Sequence, residues 1–254
     1  MTDLFDLSGR TALVTGSSRG IGLALAEGLA AAGAHVVLHG RDLDRLRREA
    51  DSLQATGAAV SDVAFDLTDE SAVRDGIAEL VGRVGAVDVL VNNAGMQLRG
   101  PFTEFTGADW DRVIATNLTS AFLVSREVAR GMQQRRRGKI VNIGSVQSML
   151  GRPGITPYAA SKGGIVMLTR GMCADLGPSG IQVNAIAPGY FATELTSALV
   201  DDPEFSAWVE RRTPAGRWGR VEDLVGAAVF LASAASDFVN GQVLAVDGGM
   251  TAVV

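Results

Sequence analysis

The chain is poor in the residues that cross-link, ligate metals or charge a surface positively. Its 254 residues include one cysteine, Cys173, and two histidines, His35 and His39. A single thiol forms no internal disulfide, and Cys173 reads as a small buried or interfacial side chain. Two histidines on or beside one strand, with no further ligands at metal spacing, make no metal site. Of 23 basic residues only Lys139 and Lys162 are lysines, and 28 acidic residues bring the net charge to −5. That balance excludes a nucleic-acid binder held by bulk positive charge. The longest apolar run, Leu224–Ala232, is about half of what spans a bilayer. Met1–Arg10 has neither the basic start nor the apolar run of an export signal. These absences point to a cytoplasmic protein with no nucleic-acid or membrane partner.

Apolar residues, by contrast, make up 47% of the chain, enough for a substantial core and too many for global disorder. They fall into a repeating β-then-α rhythm. Thr11–Thr15, Val36–Leu38, Val60–Phe65, Val87–Val91, Lys139–Ile143, Gln182–Ile186 and Val243–Val246 read as strands. Amphipathic segments lie between them. Gly20–Ala32 places Ile21, Leu25 and Leu29 on one helical face, and Asp42–Ala55 carries charge at helical spacing. Strands alternating with helices imply right-handed crossovers and an α/β fold, a parallel sheet covered on both faces. No linker or repeat interrupts the rhythm, so residues 1–254 are expected to form one domain. Two long connections break it, Gly144–Pro157 and Pro188–Gly219. Both leave strand carboxyl ends, where open parallel sheets bind ligands. The segment 188–219 is expected to be a substrate lid.

The first strand-to-helix junction is Thr15-Gly16-Ser17-Ser18-Arg19-Gly20-Ile21-Gly22. Glycines let the backbone turn tightly and approach a phosphate, and the helix start offers free amides and a positive dipole end. The pattern predicts a dinucleotide site. Sites for NAD commonly place an acid at the tip of the second strand, but here the tip reads Leu38-His39-Gly40-Arg41-Asp42. Arg19 and Arg41 can pair with a 2′-phosphate, and Asp42 suits a helix N-cap. NADP is the expected cofactor, with NAD as the alternative. His39 reads as a solvated strand-end residue.

Ser145, Tyr158 and Lys162 follow a Ser-x12-Tyr-x3-Lys spacing, with the last two on one face of a helix. A carbonyl that receives hydride needs a proton, and an alcohol that loses hydride must surrender one. Tyrosine works near neutrality only if its pKa drops by roughly three units from about 10, about 4 kcal/mol. A lysine ammonium at about 4 Å supplies about that much at an effective dielectric near 20. Lys162 is therefore expected to tune Tyr158 without other help.

Four motifs in this order and spacing resemble the short-chain dehydrogenase/reductase family over essentially the whole length. They are Thr15-Gly16-x3-Gly20-x-Gly22, Asn92-Asn93-Ala94-Gly95, Ser145…Tyr158-x3-Lys162 and Pro188-Gly189. The resemblance implies a Rossmann-type, doubly wound, seven-stranded parallel sheet, assembled as a homotetramer. It implies Tyr158 as acid/base, Ser145 bonded to the reacting oxygen, and Lys162 on the nicotinamide ribose. It makes Asn117 the holder of a relay water and completes a tetrad. Asp66 and Leu67 would contact adenine, the Asn92, Asn93, Ala94 and Gly95 run would line the cofactor, and Pro188, Gly189 and Thr193 would flank the nicotinamide.

Within the family the chain looks most like the gluconate 5-dehydrogenase branch, which interconverts gluconate and 5-ketogluconate. Carriers are Asn184–Glu194, Ala198-Leu199-Val200-x-Asp202, Trp208 through Gly219, Pro101–Phe105 and Gln147-Ser148. Arg99 is then a candidate carboxylate anchor, Gln97 and Gln147 candidate hydroxyl partners, and Met149 and Tyr190 candidate pocket walls. Leu98, Gly100 and Met149 depart from the arginine, histidine and glutamate expected of that branch and remove polarity from the substrate mouth. A 3-oxoacyl thioester or a less polar ketone is the rival substrate, for which Arg135-Arg136-Arg137 offers a docking run for an acidic carrier. A cofactor-sensing or scaffold protein without turnover is the alternative of another class.

Overall fold

Apolar residues on consecutive positions, rather than alternate ones, suit strands covered on both faces. The computed structural model of the chain describes residues 4–254 and shows such a sheet. Its strands are β1 (Thr11–Val14), β2 (His35–Gly40), β3 (Val60–Ala64), β4 (Val89–Asn92), β5 (Gly138–Ile143), β6 (Ile181–Pro188) and β7 (Val243–Val246). All pair in parallel, in the order β3-β2-β1-β4-β5-β6-β7. The helices are α1 (Gly20–Ala31), α2 (Leu43–Gln54), α3 (Glu70–Val84), α4 (Gly107–Ile114), α5 (Ser120–Arg135) and α6 (Thr156–Leu176). They continue with α7 (Ser197–Val200), α8 (Pro203–Arg212) and α9 (Val225–Ala232).

The period-2 geometry of the strands splits their side chains between two cores. Leu13, Val37, Leu90, Ile140 and Val183 pack with Val73, Ile77 and Leu80 of α3 and Leu123, Val124 and Val128 of α5. Ala12, Val14, Val36, Leu38, Val91, Val141 and Ile143 face Leu25 and Leu29 of α1, Leu46 and Leu53 of α2, and Ala228 and Leu231 of α9. Truncating one of these, for example Leu25→Ala, costs about 2–5 kcal/mol.

The strand order reverses between β1 and β4, which pair through Val14 and Val91. Their carboxyl ends therefore open a crevice at the switch point. The strands match their sequence-predicted positions to within two or three residues. The long connections are less bare than their prolines suggest. Gly144–Pro157 ends inside α6, with Pro157 in the first turn, where a missing N–H costs nothing. The segment 188–219 contains α7 and α8; Pro203 starts α8 directly after its N-cap, Asp202. Its ends are clasped, since Gly219 N donates to Tyr190 O at 2.8 Å and Ala192 N to Gly219 O at 3.0 Å.

The three arginines at the end of α5 are spent within the chain. Arg135 and Arg136 donate to Val87 O and Pro178 O, and Arg137 pairs with Asp88 at 3.0 Å. They tie the end of α5 to the segments leading into β4 and β6 rather than form a free docking run. Met1–Asp3, part of the segment read against an export signal, lie outside the described residues. No helix among the described residues is long and apolar enough to cross a membrane.

Candidate active site

The turn after β1 is braced from the end of β4. Asn93 Nδ2 donates to Thr15 O at 2.9 Å and Gly16 O at 3.0 Å. Thr15 Oγ1 in return accepts from the amides of Asn93 and Ala94 at 3.0 and 3.1 Å. Gly16 has φ +63°, and a Cβ there would stand 2.9 Å from Ala94 Cα. A Cβ on Gly22 would collide with the Asn93 amide, so the helix start approaches the turn only because that position is bare. Arg19, the N-cap of α1, makes no side-chain cap bond, and the first turn holds no acid. The amides from Ser18 through Ile21 are thus presented to a ligand anion.

His39 is a correction. It is 1% exposed rather than solvated, and it forms the floor of this turn. Nδ1 accepts from Gly16 N at 3.3 Å, which fixes the proton on Nε2, and Nε2 donates to Phe65 O at 3.1 Å. Burial holds its pKa down to about 4, so the ring is neutral. Ser17 Oγ adds a second tie, accepting from His39 N and donating to Val14 O at 2.7 Å.

Around the groove's rim stand three arginines rather than the two expected. Arg45 Nε donates to Ser18 O at 2.9 Å, and its Nη2 meets Glu194 Oε1 at 2.8 Å. Arg19 reaches Oε2 of the same glutamate at 3.3 Å. Arg41 is exposed at the end of β2, near Asp66. Arg45 escapes a sequence reading because it sits among the charges of α2; the available signal is Asp42, which caps that helix by accepting from Arg45 N at 3.0 Å. Asp66 Oδ1 accepts from the amide and hydroxyl of Thr68, each at 2.8 Å, and Leu67 is buried behind it. Asn92 points inward, donating to Ser125 and Asn142 at 2.8 Å, and does not line the groove.

Deeper in the crevice, β5 and α6 bring Ser145, Tyr158 and Lys162 together. Lys162 is 5% exposed and donates to Ile143 O at 2.7 Å, with Nζ 5.7 Å from the Tyr158 ring centroid. No acid pairs with it among the described residues, and burial pulls its pKa down to about 8. Burial pushes the Tyr158 phenol up, the Ser145 hydroxyl bonded to it pulls down, and the nearby Tyr190 pushes up again. The expectation that Lys162 alone brings Tyr158 toward neutrality is therefore not met by the chain's own groups. The ammonium is turned to a strand carbonyl, and desolvation outweighs it. Asn117 lies in a π-helical stretch, Ala115–Thr119, between α4 and α5. Its amide accepts from Met96 N at 2.7 Å and donates to Met96 O and Ser161 Oγ. It ties the irregular segment following β4 to α6.

The groove fits a dinucleotide. Where a Cβ of Gly20 would stand there is open space. A Cβ on Gly95 would stand in ordinary contact with Asn117 Oδ1, 3.4 Å away, and Lys162 Nζ, 3.7 Å away, so Gly95 lies against the catalytic groups. Pro188 ends β6, Gly189 N donates to Val246 O at 3.0 Å, and Thr193 is bonded to Thr196 where the lid leaves the groove.

The mouth beyond Tyr158 is built where two loops meet. Gly100 N donates to Gly154 O at 3.1 Å, and this link makes Arg99 and Arg152 neighbours. Burial and the adjacent Arg152 pull the Arg99 guanidinium down, and Tyr190 pulls it up. Arg99 donates to Gln97 Oε1 at 3.3 Å, while Arg152 stacks 4.5 Å over the Phe205 ring. Neither has an acidic partner among the described residues. Phe205 belongs to a lid cluster with Tyr190, Trp208 and Trp218, whose rings lie 5.6–5.8 Å from Tyr190. The Gln147 amide oxygen is buried with no hydrogen-bond partner, and Met149 is exposed at the rim. Arg152 is absent from the sequence-predicted set because no motif contains it.

A family model described as enoyl-(acyl carrier protein) reductase matches residues 16–251. Gluconate 5-dehydrogenase of Gluconobacter oxydans is 58% identical over 98% of this chain and 97% of the relative. The 5-keto-D-gluconate 5-reductase of Escherichia coli K12 is 51% identical over the whole of both chains. A crystal structure of a gluconate 5-dehydrogenase from Burkholderia cenocepacia, in complex with NADP and tartrate, superposes with a TM-score of 0.97. It is 56% identical and covers 99% of each chain.

Proposed function

The chain belongs to the short-chain dehydrogenase/reductase family, and we propose that it interconverts 5-ketogluconate and gluconate with NADP(H). The relatives named above support this. The observation that carries it is the Arg99–Arg152 pair: two mutually repelling guanidinium groups without an acid partner among the described residues, beside Tyr190, which also lies near the proton donor Tyr158. A carboxylate relieves their repulsion and takes up to four charge-assisted hydrogen bonds. The orphaned Gln147 oxygen calls for a donor, which a sugar hydroxyl supplies and a plain ketone does not.

Gly16, Ser18, Arg19, Gly20, Ile21 and Gly22 would hold the pyrophosphate. Arg19, Arg41 and Arg45 would take the 2′-phosphate, and Asp66 and Leu67 the adenine. Asn93, Ala94, Gly95, Pro188, Gly189 and Thr193 would border the nicotinamide half. The bound nicotinamide supplies or accepts the hydride. Tyr158 gives its phenolic proton to the carbonyl oxygen as the alcohol forms, and in the opposite direction takes the hydroxyl proton. Ser145 donates to that same oxygen. Lys162, held at Ile143 O, sets a positive field at the phenolate, and its ammonium can turn to a ribose hydroxyl. Asn117 fixes the segment on which Met96 borders the site and keeps Lys162's surroundings in place.

We take residues 1–254 as one unit with 188–219 as its lid, since the lid leaves the end of β6 directly and its own two ends are bridged, Phe191 to Gly219. A homotetramer is supported by apolar side chains left exposed on the outer elements. Leu244 lies on edge strand β7, Trp110 and Phe122 on α4 and α5, and Met167 on α6. We place the enzyme in the cytoplasm, where such a cofactor is recycled. The test is initial-rate oxidation of NADPH by 5-ketogluconate at neutral pH, with NADH in parallel. Turnover that needs NADPH supports the reading; no turnover with either cofactor overturns it.

A further inference from the structure

Glu194 lies one residue beyond Thr193, on the lid segment that crosses the cofactor groove. Its two carboxylate oxygens each meet a guanidinium from a different element: Oε1 lies 2.8 Å from Arg45 of α2, and Oε2 3.3 Å from Arg19 of the phosphate turn. The arginines in turn pull the carboxyl below its ordinary range. No other acid among the described residues forms an ion pair with either arginine, and Arg41, exposed at the end of β2, lies near Asp66. Arg45 is not free to swing away, because its Nε is bonded to Ser18 O in the phosphate turn. Asp42, the N-cap of α2, and Glu49 within that helix also lie near Arg45, but among the described residues the one carboxylate ion-paired with Arg19 and Arg45 comes from the lid.

We propose that Glu194 is a specificity-determining residue for the cofactor: an internal anion that holds Arg19 and Arg45 until a 2′-phosphate replaces it. The inference rests on the NADP reading above and names the residue that opposes it. A phosphate carries about two charges and three acceptor oxygens, against one charge and two oxygens for the carboxylate, so it wins the arginines. A dinucleotide with a free 2′-hydroxyl offers no such exchange and leaves Glu194 in place. The side chains are largely exposed, so the opposition is modest. Two exposed pairs correspond to about three- to tenfold in affinity. Because Glu194 belongs to the lid, the exchange also loosens the first turn after Thr193 as the cofactor seats.

The probe is 2′,5′-ADP, with 5′-AMP as its counterpart lacking the phosphate, each titrated calorimetrically into the full chain. Wild type is expected to bind 2′,5′-ADP more tightly than 5′-AMP. Glu194→Gln, which keeps the shape and removes the charge, is expected to tighten 2′,5′-ADP about three- to tenfold and leave 5′-AMP unchanged. Unchanged 5′-AMP binding also shows that the variant is folded. Arg45→Met is expected to weaken 2′,5′-ADP by about tenfold or more. If wild type prefers 2′,5′-ADP but Glu194→Gln binds it equally or more weakly, Glu194 is no competitor and the proposal falls alone. If wild type shows no preference, the NADP reading falls and takes the proposal with it.

Discussion

Lys162 donates to the main-chain carbonyl of Ile143 at 2.7 Å and stands 5.7 Å from the centre of the Tyr158 ring. The last residue of β5 thus holds the catalytic cation, while α6 carries both the cation and the phenol. An ammonium buried without a carboxylate is unfavourable for the fold. It is favourable for a phenolate that forms only during turnover, because its field is not spent on a resident anion.

That opposition gives a pH signature. Burial sets the folded-state pKa of Lys162 at about 8, while the unfolded chain has roughly 10.5. Between those values the unfolded chain binds more protons, so stability from this group rises as pH climbs from 8 to 10.5 and is missing below 8. Lys162→Met is expected to lose that rise, worth on the order of 3 kcal/mol, and to lose turnover by a hundredfold or more. Urea unfolding of both proteins at pH 7.5 and pH 10 reads the difference. Parallel pH profiles would show that the buried ammonium carries no such cost.

His39 works in the opposite pH range. Its folded value near 4 lies below the ordinary 6.5, so the unfolded chain again binds more protons between the two. Stability therefore falls as pH drops from 6.5 to 4, by on the order of 3 kcal/mol. His39→Gln retains a donor and an acceptor but does not titrate, and is expected to flatten this acid limb. The check is the urea midpoint of each protein at pH 7 and pH 4.5; equal losses in both would remove His39 as the cause.

The arginine pair predicts where affinity resides. Arg99→Met and Arg152→Met are each expected to raise KM for 5-ketogluconate about 10- to 100-fold with little change in kcat, as for binding shared by ground and transition states. Their effects should be coupled in the double variant, because each relieves the other's repulsion. Steady-state kinetics of the four proteins decide it. A fall in kcat with KM unchanged would place these arginines elsewhere in the reaction.

The parts legible in the sequence are those that local pattern determines. Seven strands announce themselves by short β-branched runs, and the turn after β1 by glycines that the Asn93 brace leaves no room to replace. Ser145, Tyr158 and Lys162 are fixed by spacing, two of them on one helix. What was not legible depends on which distant segments meet. Arg152 becomes a neighbour of Arg99 only through the Gly100–Gly154 bond, and Glu194 reaches Arg45 only once the lid folds over α2. His39 looked solvated because nothing in β2 shows that Phe65 closes over it, with the two ring centroids 4.5 Å apart. Lys162 looked sufficient to tune Tyr158 because spacing gives proximity but not desolvation, nor the strand carbonyl that claims the ammonium.

The carboxylate is the feature on which the functional reading turns. L-sorbose is the same carbon chain as 5-ketogluconate with the carboxylate replaced by a hydroxymethyl group. We would measure kcat/KM for both with NADPH, beside an acetoacetyl thioester. A ratio of about a thousand or more in favour of 5-ketogluconate, collapsing in the Arg99→Met, Arg152→Met double variant, is the expected result. Equal efficiency with L-sorbose, or faster reduction of the thioester, would mean that the two arginines do not read a sugar acid.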